Sequence, residues 1–399
     1  MPATEAVESA RRALEICKAC RYCDDYCVVF RAIDGRRDFS RADLFYLANL
    51  CHNCSNCYYA CQYAPPHEFD INLPRRFAQI RAASWRHYGW PRFLAGLFPR
   101  NGVFSLGVVA LVLAFTLAAT LGLEAPQARF SPHLGPGAFY AIVPWKIMAL
   151  VAGASLGLSL MVLAAGLVRF WRDLEHFQAK WIPVRVKKMR KNKNLEHFHV
   201  SMKHENTLGA GPARVSIRAL RTALFDVLTL RNLGGGGPGC NDFDEALSLA
   251  RRRFHHLMFY GFALCLASTA VATLYDHLLG WPAPYPLSSL PVALGGFGGL
   301  GMIVGAGGLA WIKIAGDPAP TASSLLGGDY ALLGVLTLVA ASGLLLLAFR
   351  ETGAISALLA VHLGAVLAFF LLLPFGKFVH GFYRAAALLR AAMDQGEDG

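Results

Sequence analysis

Six stretches of the chain stay apolar for close to the ~20 residues that a helix needs to cross hydrocarbon. They fall at roughly 103–123, 142–168, 254–276, 291–314, 329–349 and 354–376. The first hundred residues are soluble in character and end in a Pro-, Arg- and Trp-rich connector from Pro74 to Arg100. The pattern predicts a mainly α protein, with an N-terminal α-helical, ferredoxin-like head followed by a six-helix transmembrane bundle. Its expected parts are a head and connector over 1–100, spans 1 and 2 over 101–170, a basic loop over 171–252, spans 3 to 6 over 253–382 and a tail over 383–399. Between the cysteine-rich stretches, Ser40 followed by 41–50 reads as a capped helix.

Charge orients this arrangement. Loop 124–141 is poor in Lys and Arg, and 277–290 has none. Loop 169–253 carries Arg169, Arg172, Lys187, Lys188, Arg190, Lys191, Lys193 and Arg251 to Arg253. Alternation of this kind places the basic loop inside, and six spans then put both termini on the cytoplasmic side. The N-terminus has no basic-then-apolar stretch ending in a cleavage site, so the head is expected to stay in the cytoplasm. The expectation is a multi-pass protein of the inner (cytoplasmic) membrane. The net charge of +12 is accounted for by residues flanking spans, so nucleic acid is not an expected partner.

Composition adds the chemistry. Eight of the ten cysteines fall between Cys17 and Cys61. Cys17, Cys20, Cys23 and Cys27 form CxxCxxCxxxC, and Cys51, Cys54, Cys57 and Cys61 repeat it 34 positions later. Three thiolates of CxxCxxC wrap one corner of a cubane, and the fourth cysteine reaches the other cluster. Two [4Fe–4S] clusters are therefore expected, one on Cys17, Cys20, Cys23 and Cys61, the other on Cys51, Cys54, Cys57 and Cys27. Val28 and Gln62 stand where bacterial ferredoxins carry proline after the fourth cysteine. Paired structural zinc is the competing explanation, but it has no need of a third cysteine in each motif. Cys240 and Cys265 have no partner at ligand spacing and read as structural. The glycine-rich run before Cys240 lacks a nucleotide-binding pattern and reads as a turn.

Histidines inside apolar spans are functional candidates by default, because a polar group there is costly. b-Type haem in a bundle needs imidazoles from two helices at matching depth. The last span supplies His362 and His380, 18 residues apart, which is five whole turns, so both lie on one face at opposite ends. The antiparallel third span offers His255 or His256 at one end and His277 at the other. An inner haem between His380 and one of His255 and His256 is expected, and an outer one between His362 and His277. His255 is the nearer to the face of His277. His197, His199 and His204 read as a solvated cluster. The glycines of span four, Gly295 to Gly308, indicate close helix packing or room for a cofactor.

On the doubled cysteine motif, GGGGPGCN at 234–241, ARRRFHHLMFYGF at 250–262, WPAPYP at 281–286 and GKFVHGFYR at 376–384, the chain resembles the tricarballylate (citrate) utilization protein B family. Members of that family also occur fused in a protein of cobalamin biosynthesis. The paired histidines near the end are locally similar to those of the dihaem membrane subunit of respiratory nitrate reductase. The resemblance implies an electron-accepting partner of a separate FAD-dependent dehydrogenase that oxidises tricarballylate to cis-aconitate. Electrons would pass through the clusters and haem to membrane quinone. The chain itself shows no flavin or nicotinamide fingerprint. Reverse flow from quinol to a cytoplasmic acceptor and a membrane-anchored redox sensor are the alternatives. A transporter would leave eight thiolates without a purpose.

Overall fold

The computed structural model describes residues 3–24, 26–34, 36, 38–126, 128–178, 215–235 and 237–396. Lys187 to Lys193 and the histidines at 197, 199 and 204 lie outside the described residues. The head is helical: α1 (Ala3–Cys20), α2 (Val28–Asp34), α3 (Arg41–Leu50), α4 (Asn56–Tyr59) and α5 (Leu73–Tyr88). Ser40 caps α3 in a reciprocal box with Asp43, whose carboxylate also takes a 2.7 Å bond from Arg36. Leu44, Leu47, Phe77 and Ile80 are fully buried where α3 meets α5.

A short α6 (Arg92–Ala95) leads into the bundle, made of α7 (Asn101–Leu123), a short α8 (Ala138–Ile142), α9 (Trp145–Gln178), α10 (Ile217–Leu228), α11 (Ala250–Leu279), α12 (Leu290–Ala315), α13 (Leu326–Phe349) and α14 (Ile355–Leu372). Among the described residues, six helices are long and apolar enough to cross a membrane, namely those over Asn101–Leu123, Trp145–Glu175, Ala250–Leu278, Leu290–Ala315, Ser323–Phe349 and Ile355–Leu372. Large apolar side chains such as Leu111, Phe115, Met161, Phe297 and Ile314 point outward. Lipid, not water, is the solvent that such a surface requires. Between α10 and α11, β1 (Cys240–Asn241) pairs antiparallel with β2 (Leu247–Ser248).

Two expectations change. α9 continues about three turns beyond 168, so that Asp173 reaches the head and accepts a 2.8 Å bond from Tyr88. The last span does not run on to His380: α14 stops at Leu372, and α15 (Val379–Gly396) starts anew after a turn containing Pro374 and Gly376. Proline has no N–H to give and its ring clashes with the carbonyl four residues back, so the helix breaks there. The freed carbonyls are satisfied from neighbouring helices: Ser159 Oγ donates to Phe370 O at 2.7 Å and Asn101 Nδ2 to Phe375 O at 2.6 Å. His362 and His380 therefore sit on different helices. The tail over 383–399 begins inside α15, which packs against α3, α9 and α10.

The glycines of α12 serve helix packing. A Cβ on Gly298 would lie 2.8 Å from Gly261 O of α11, and one on Gly261 would meet Gly298 O and Met302 N at 2.7 Å. Gly305 and Gly308 likewise abut Met258 and Phe254. Small residues let the two backbones touch, which is what drives helix association in lipid. Gly261→Leu should therefore destabilise the protein by about 1–3 kcal/mol through overpacking, read as an earlier thermal transition in detergent. Gly296→Leu, where an added Cβ meets nothing within 4 Å, should leave the transition in place.

Candidate metal centres

Two small adjoining cavities lie in the head. One is lined by Cys17, Cys20, Cys23 and Cys61, the other by Cys27, Cys51, Cys54 and Cys57. Phe30, Leu73 and Cys57 belong to both walls. The chain achieves this grouping because the turn after α1 and α2 brings Cys27 under the second motif, while α4 and the turn after it carry Cys61 back to the first. Burial, then the neighbouring Cys61, Cys23 and Cys20, push the Cys17 thiol up to about 12. Burial, then Cys54 and Cys51, do the same to Cys27. Such a set becomes thiolate only when a metal centre takes the protons' place. At least four thiols line each cavity, a donor set whose chemistry fits an iron–sulfur cluster.

A second observation bears on the fit of an anionic cluster. Three arginines from three helices donate to the carbonyls of the second motif. Arg81 of α5 donates to Ala48 O at 2.7 Å and Cys51 O at 2.8 Å. Arg384 of α15 donates to the same Cys51 O at 2.8 Å and, more weakly, to Asn49 O at 3.4 Å. Arg251 of α11 bonds Asn53 O and pairs with Asp242 at 3.1 Å. Burial and then Arg81 push the Arg384 guanidinium down to about 9. Carbonyls alone do not repay the burial of adjacent cations, whereas a net-negative cluster on thiolates does.

Below the second motif lies a cavity of about 1190 Å³ lined by His52, Arg81, Arg251, His255, His380 and Arg384 among others. The rings of His255 and His380 stand 6.3 Å apart, centroid to centroid, at 72°. Two imidazoles ligating one metal from opposite sides at ~2 Å put their centroids about 6 Å apart, so the spacing fits an axial pair. His380 Nδ1 lies 2.7 Å from Lys377 O and must donate, leaving Nε2 as the ligand nitrogen. His255 Nδ1 is buried with no hydrogen-bond partner. His256 turns away, donating to Thr229 O at 3.0 Å and stacking on Tyr260. The outer histidines are not brought together. His362 faces Ser342 of α13 at 3.1 Å and packs on Gly343, while His277 is half-exposed beside Asp276, its ring 5.4 Å from Trp145.

Sequence reasoning missed several of these residues. His52, next to Cys51, lines the large cavity. The glycine-rich run is a packed part of the head: Asn56 Nδ2 donates to Gly239 O at 3.0 Å, and Asn241 N donates to Cys54 O at 3.0 Å. Gly235, at φ +64°, has no room for a side chain against Gly239 O. Cys240 is fully buried, its thiol donating to Leu233 O at 3.2 Å, and its proximity lowers the Cys54 thiol to about 7. No spacing rule could have joined residues so far apart along the chain.

Residues 100–399 match the family model described as Citrate utilization protein B, and residues 10–87 match its Fer4-like domain. The chain belongs to the citrate utilization protein B family. A curated relative, Citrate utilization protein B of Escherichia coli, is 40% identical over 393 residues, covering 98% of this chain and 93% of its own length. No solved structure matches. The Fer4-like match agrees with iron–sulfur chemistry in the head, and the family with an electron-transfer role in citrate or tricarballylate utilization at a membrane.

If the fourth cysteines cross between motifs, single substitutions group by cavity rather than by motif. Cys61→Ser and Cys17→Ser should each remove the same cluster, and Cys27→Ser and Cys51→Ser the other. Each variant should drop from about eight to about four irons per chain. Iron and sulfide analysis gives the loss, and electron paramagnetic resonance of the reduced variants identifies which signal remains.

Proposed function

We propose that this protein of the citrate utilization protein B family takes electrons from a separate FAD-dependent dehydrogenase, one that oxidises tricarballylate to cis-aconitate, and delivers them to membrane quinone through two [4Fe–4S] clusters and one b-type haem. The observation that carries this reading is a continuous line of cofactor-competent sites. It starts at the first thiol set, edged by Tyr22, which is 65% exposed. It passes the wall shared through Phe30, Leu73 and Cys57 to the second set, then His52 beside Cys51, and ends at the His255 and His380 pair. The first set is the one nearest solvent and so nearest a soluble donor.

When bound, clusters and haem accept and release single electrons, which splits the two-electron output of a flavin. The protein's own side chains set the stage for this. Cys17, Cys20, Cys23 and Cys61, and Cys27, Cys51, Cys54 and Cys57, hold the two clusters. Arg81 and Arg384 supply positive charge at the second, which favours its reduced, more negative state. His255 and His380 hold the haem, and Lys377 O fixes the ligating tautomer of His380. The basic loop and the head lie on the cytoplasmic side of the inner membrane in this reading, where the dehydrogenase is found.

His255→Ala and His380→Ala should each abolish the reduced-minus-oxidised b-type bands while leaving about eight non-haem irons per chain. His256→Ala, His277→Ala and His362→Ala should retain the bands. Loss of the bands in His362→Ala with retention in His255→Ala would overturn the assignment. Mixing with the purified dehydrogenase and tricarballylate should reduce the bound centres, and no reduction would remove the partner.

A further inference from the structure

The large cavity does more than reach the His255 and His380 pair. At 1190 Å³ it exceeds the ~300–1,000 Å³ of an ordinary ligand pocket, and its far end has a different character. There it is walled by Val103, Leu106 and Val109 of α7 and by Tyr330, Gly334 and Leu338 of α13. Val103 is 77% and Leu106 68% exposed, so this end opens sideways between two membrane-spanning helices, onto lipid. α7 and α13 touch at their starts, where a Cβ on Gly102 would lie 2.9 Å from Gly327, and further along one side of each helix lines the cavity. Between the lipid mouth and the histidines sits a buried charged triad: Asp329 of α13 pairs with both Lys313 of α12 and Lys377 of the turn before α15. Asp329 is 7% exposed.

A site with an apolar lateral mouth, cationic donors inside and imidazoles behind them fits a ligand with a lipid-soluble tail and hydrogen-bond-accepting oxygens on a redox-active ring. We infer that the gap between α7 and α13 is the quinone-reducing site, with Lys313 and Lys377 donating to the two ring oxygens and Asp329 holding both ammonium groups in place. The inference rests on the electron-transfer reading above. The reaction is quinone plus two electrons plus two protons giving quinol. The electrons come singly from the reduced centres of this chain, and the protons from Lys313 and Lys377. Both O–H bonds form as the corresponding N–H bonds break. The lysines are recharged from water on the head side, where Asp317, Thr321 and Ser323 line the same cavity.

Gly334 provides a test that spares the triad. An added Cβ there meets nothing within 4 Å, so a larger side chain has open space to enter beside the cavity it lines. The full-length protein, reduced anaerobically with dithionite and desalted, is mixed with decylubiquinone or with ferricyanide, and reoxidation is followed by absorbance. Gly334→Phe should slow decylubiquinone reoxidation by an order of magnitude or more and leave ferricyanide reoxidation as in wild type. Lys313→Gln, which keeps length and loses the transferable proton, should cost about a hundredfold in the quinone rate. An azido-quinone should still photolabel peptides of α7 and α13 in Lys313→Gln, and not in Gly334→Phe. Rapid quinone oxidation of wild type with both variants unchanged, or labelling elsewhere, overturns the site alone. A wild type that ferricyanide oxidises and decylubiquinone does not overturns the quinone reading on which it rests.

Discussion

Positive charge buried beneath the second cysteine motif is the constraint on which the rest of the molecule depends. Arg81, Arg251 and Arg384 come from the head, the third span and the final helix, and they meet at the carbonyls of Ala48, Cys51 and Asn53. Cations so placed repel one another in a medium of low dielectric, and neutral carbonyls offset only part of that cost. An anionic centre on the adjoining thiolates supplies the remainder. Assembly of the head, its docking on the bundle and the filling of the metal site are thereby one coupled event. Arg251 has the carboxylate of Asp242 at 3.1 Å, whereas Arg81 and Arg384 meet only carbonyls at the joint between head and bundle.

The broken helix is what allows that joint to close. Had the chain continued straight from α14, Arg384 and His380 would have been carried away from the head along the span axis. Pro374 stops the helix, Ser159 and Asn101 satisfy the carbonyls it frees, and α15 turns back against α3. Tyr383 then packs 5.2 Å from Phe170 of α9 and 6.3 Å from Tyr88 of the head. One side of α15 thus presents His380 to His255, while its neighbour Arg384 reaches Cys51. Both the approach of His380 to His255 and the arginine clamp follow from the same interruption.

The parts of this arrangement that were legible in the sequence are those whose signal is local. An apolar run of span length, the Ser40 cap and a doubled CxxCxxCxxxC each depend on residues within a few turns of one another. The break before α15 was also written locally, in Pro374, but the distance from His362 to His380 matched five turns so well that a continuous helix hid it. The arginine clamp, His52 at the cavity wall and Cys240 beside Cys54 join residues from separate elements. Their roles arise only when tertiary packing sets which carbonyl or thiol each one meets. The glycines of α12 fall between the two cases: their spacing announced a bare face, and only the facing Gly261 and Met258 decided that it was filled by another backbone.

That distribution of tight and loose contacts has a consequence for where a ligand could enter. In lipid there is no hydrophobic gain from closing a gap between helices, since tails solvate apolar surface as well as side chains do. Helices approach where backbones can touch or polar groups can bond, as α11 and α12 do through Gly261, Gly298 and Gly305. They remain apart where neither is available. α7 and α13 meet closely at Gly102 and Gly327, while a Cβ added at Gly107 or Gly334 further along would meet nothing within 4 Å. The ion pairs of Asp329 join α13 to Lys313 of α12 and to Lys377 of the turn before α15, and not to α7. Space therefore persists beside the charged triad because no force in the bilayer acts to remove it. The same physics that seals the α11 and α12 seam leaves a lateral entrance on the opposite side of the cavity.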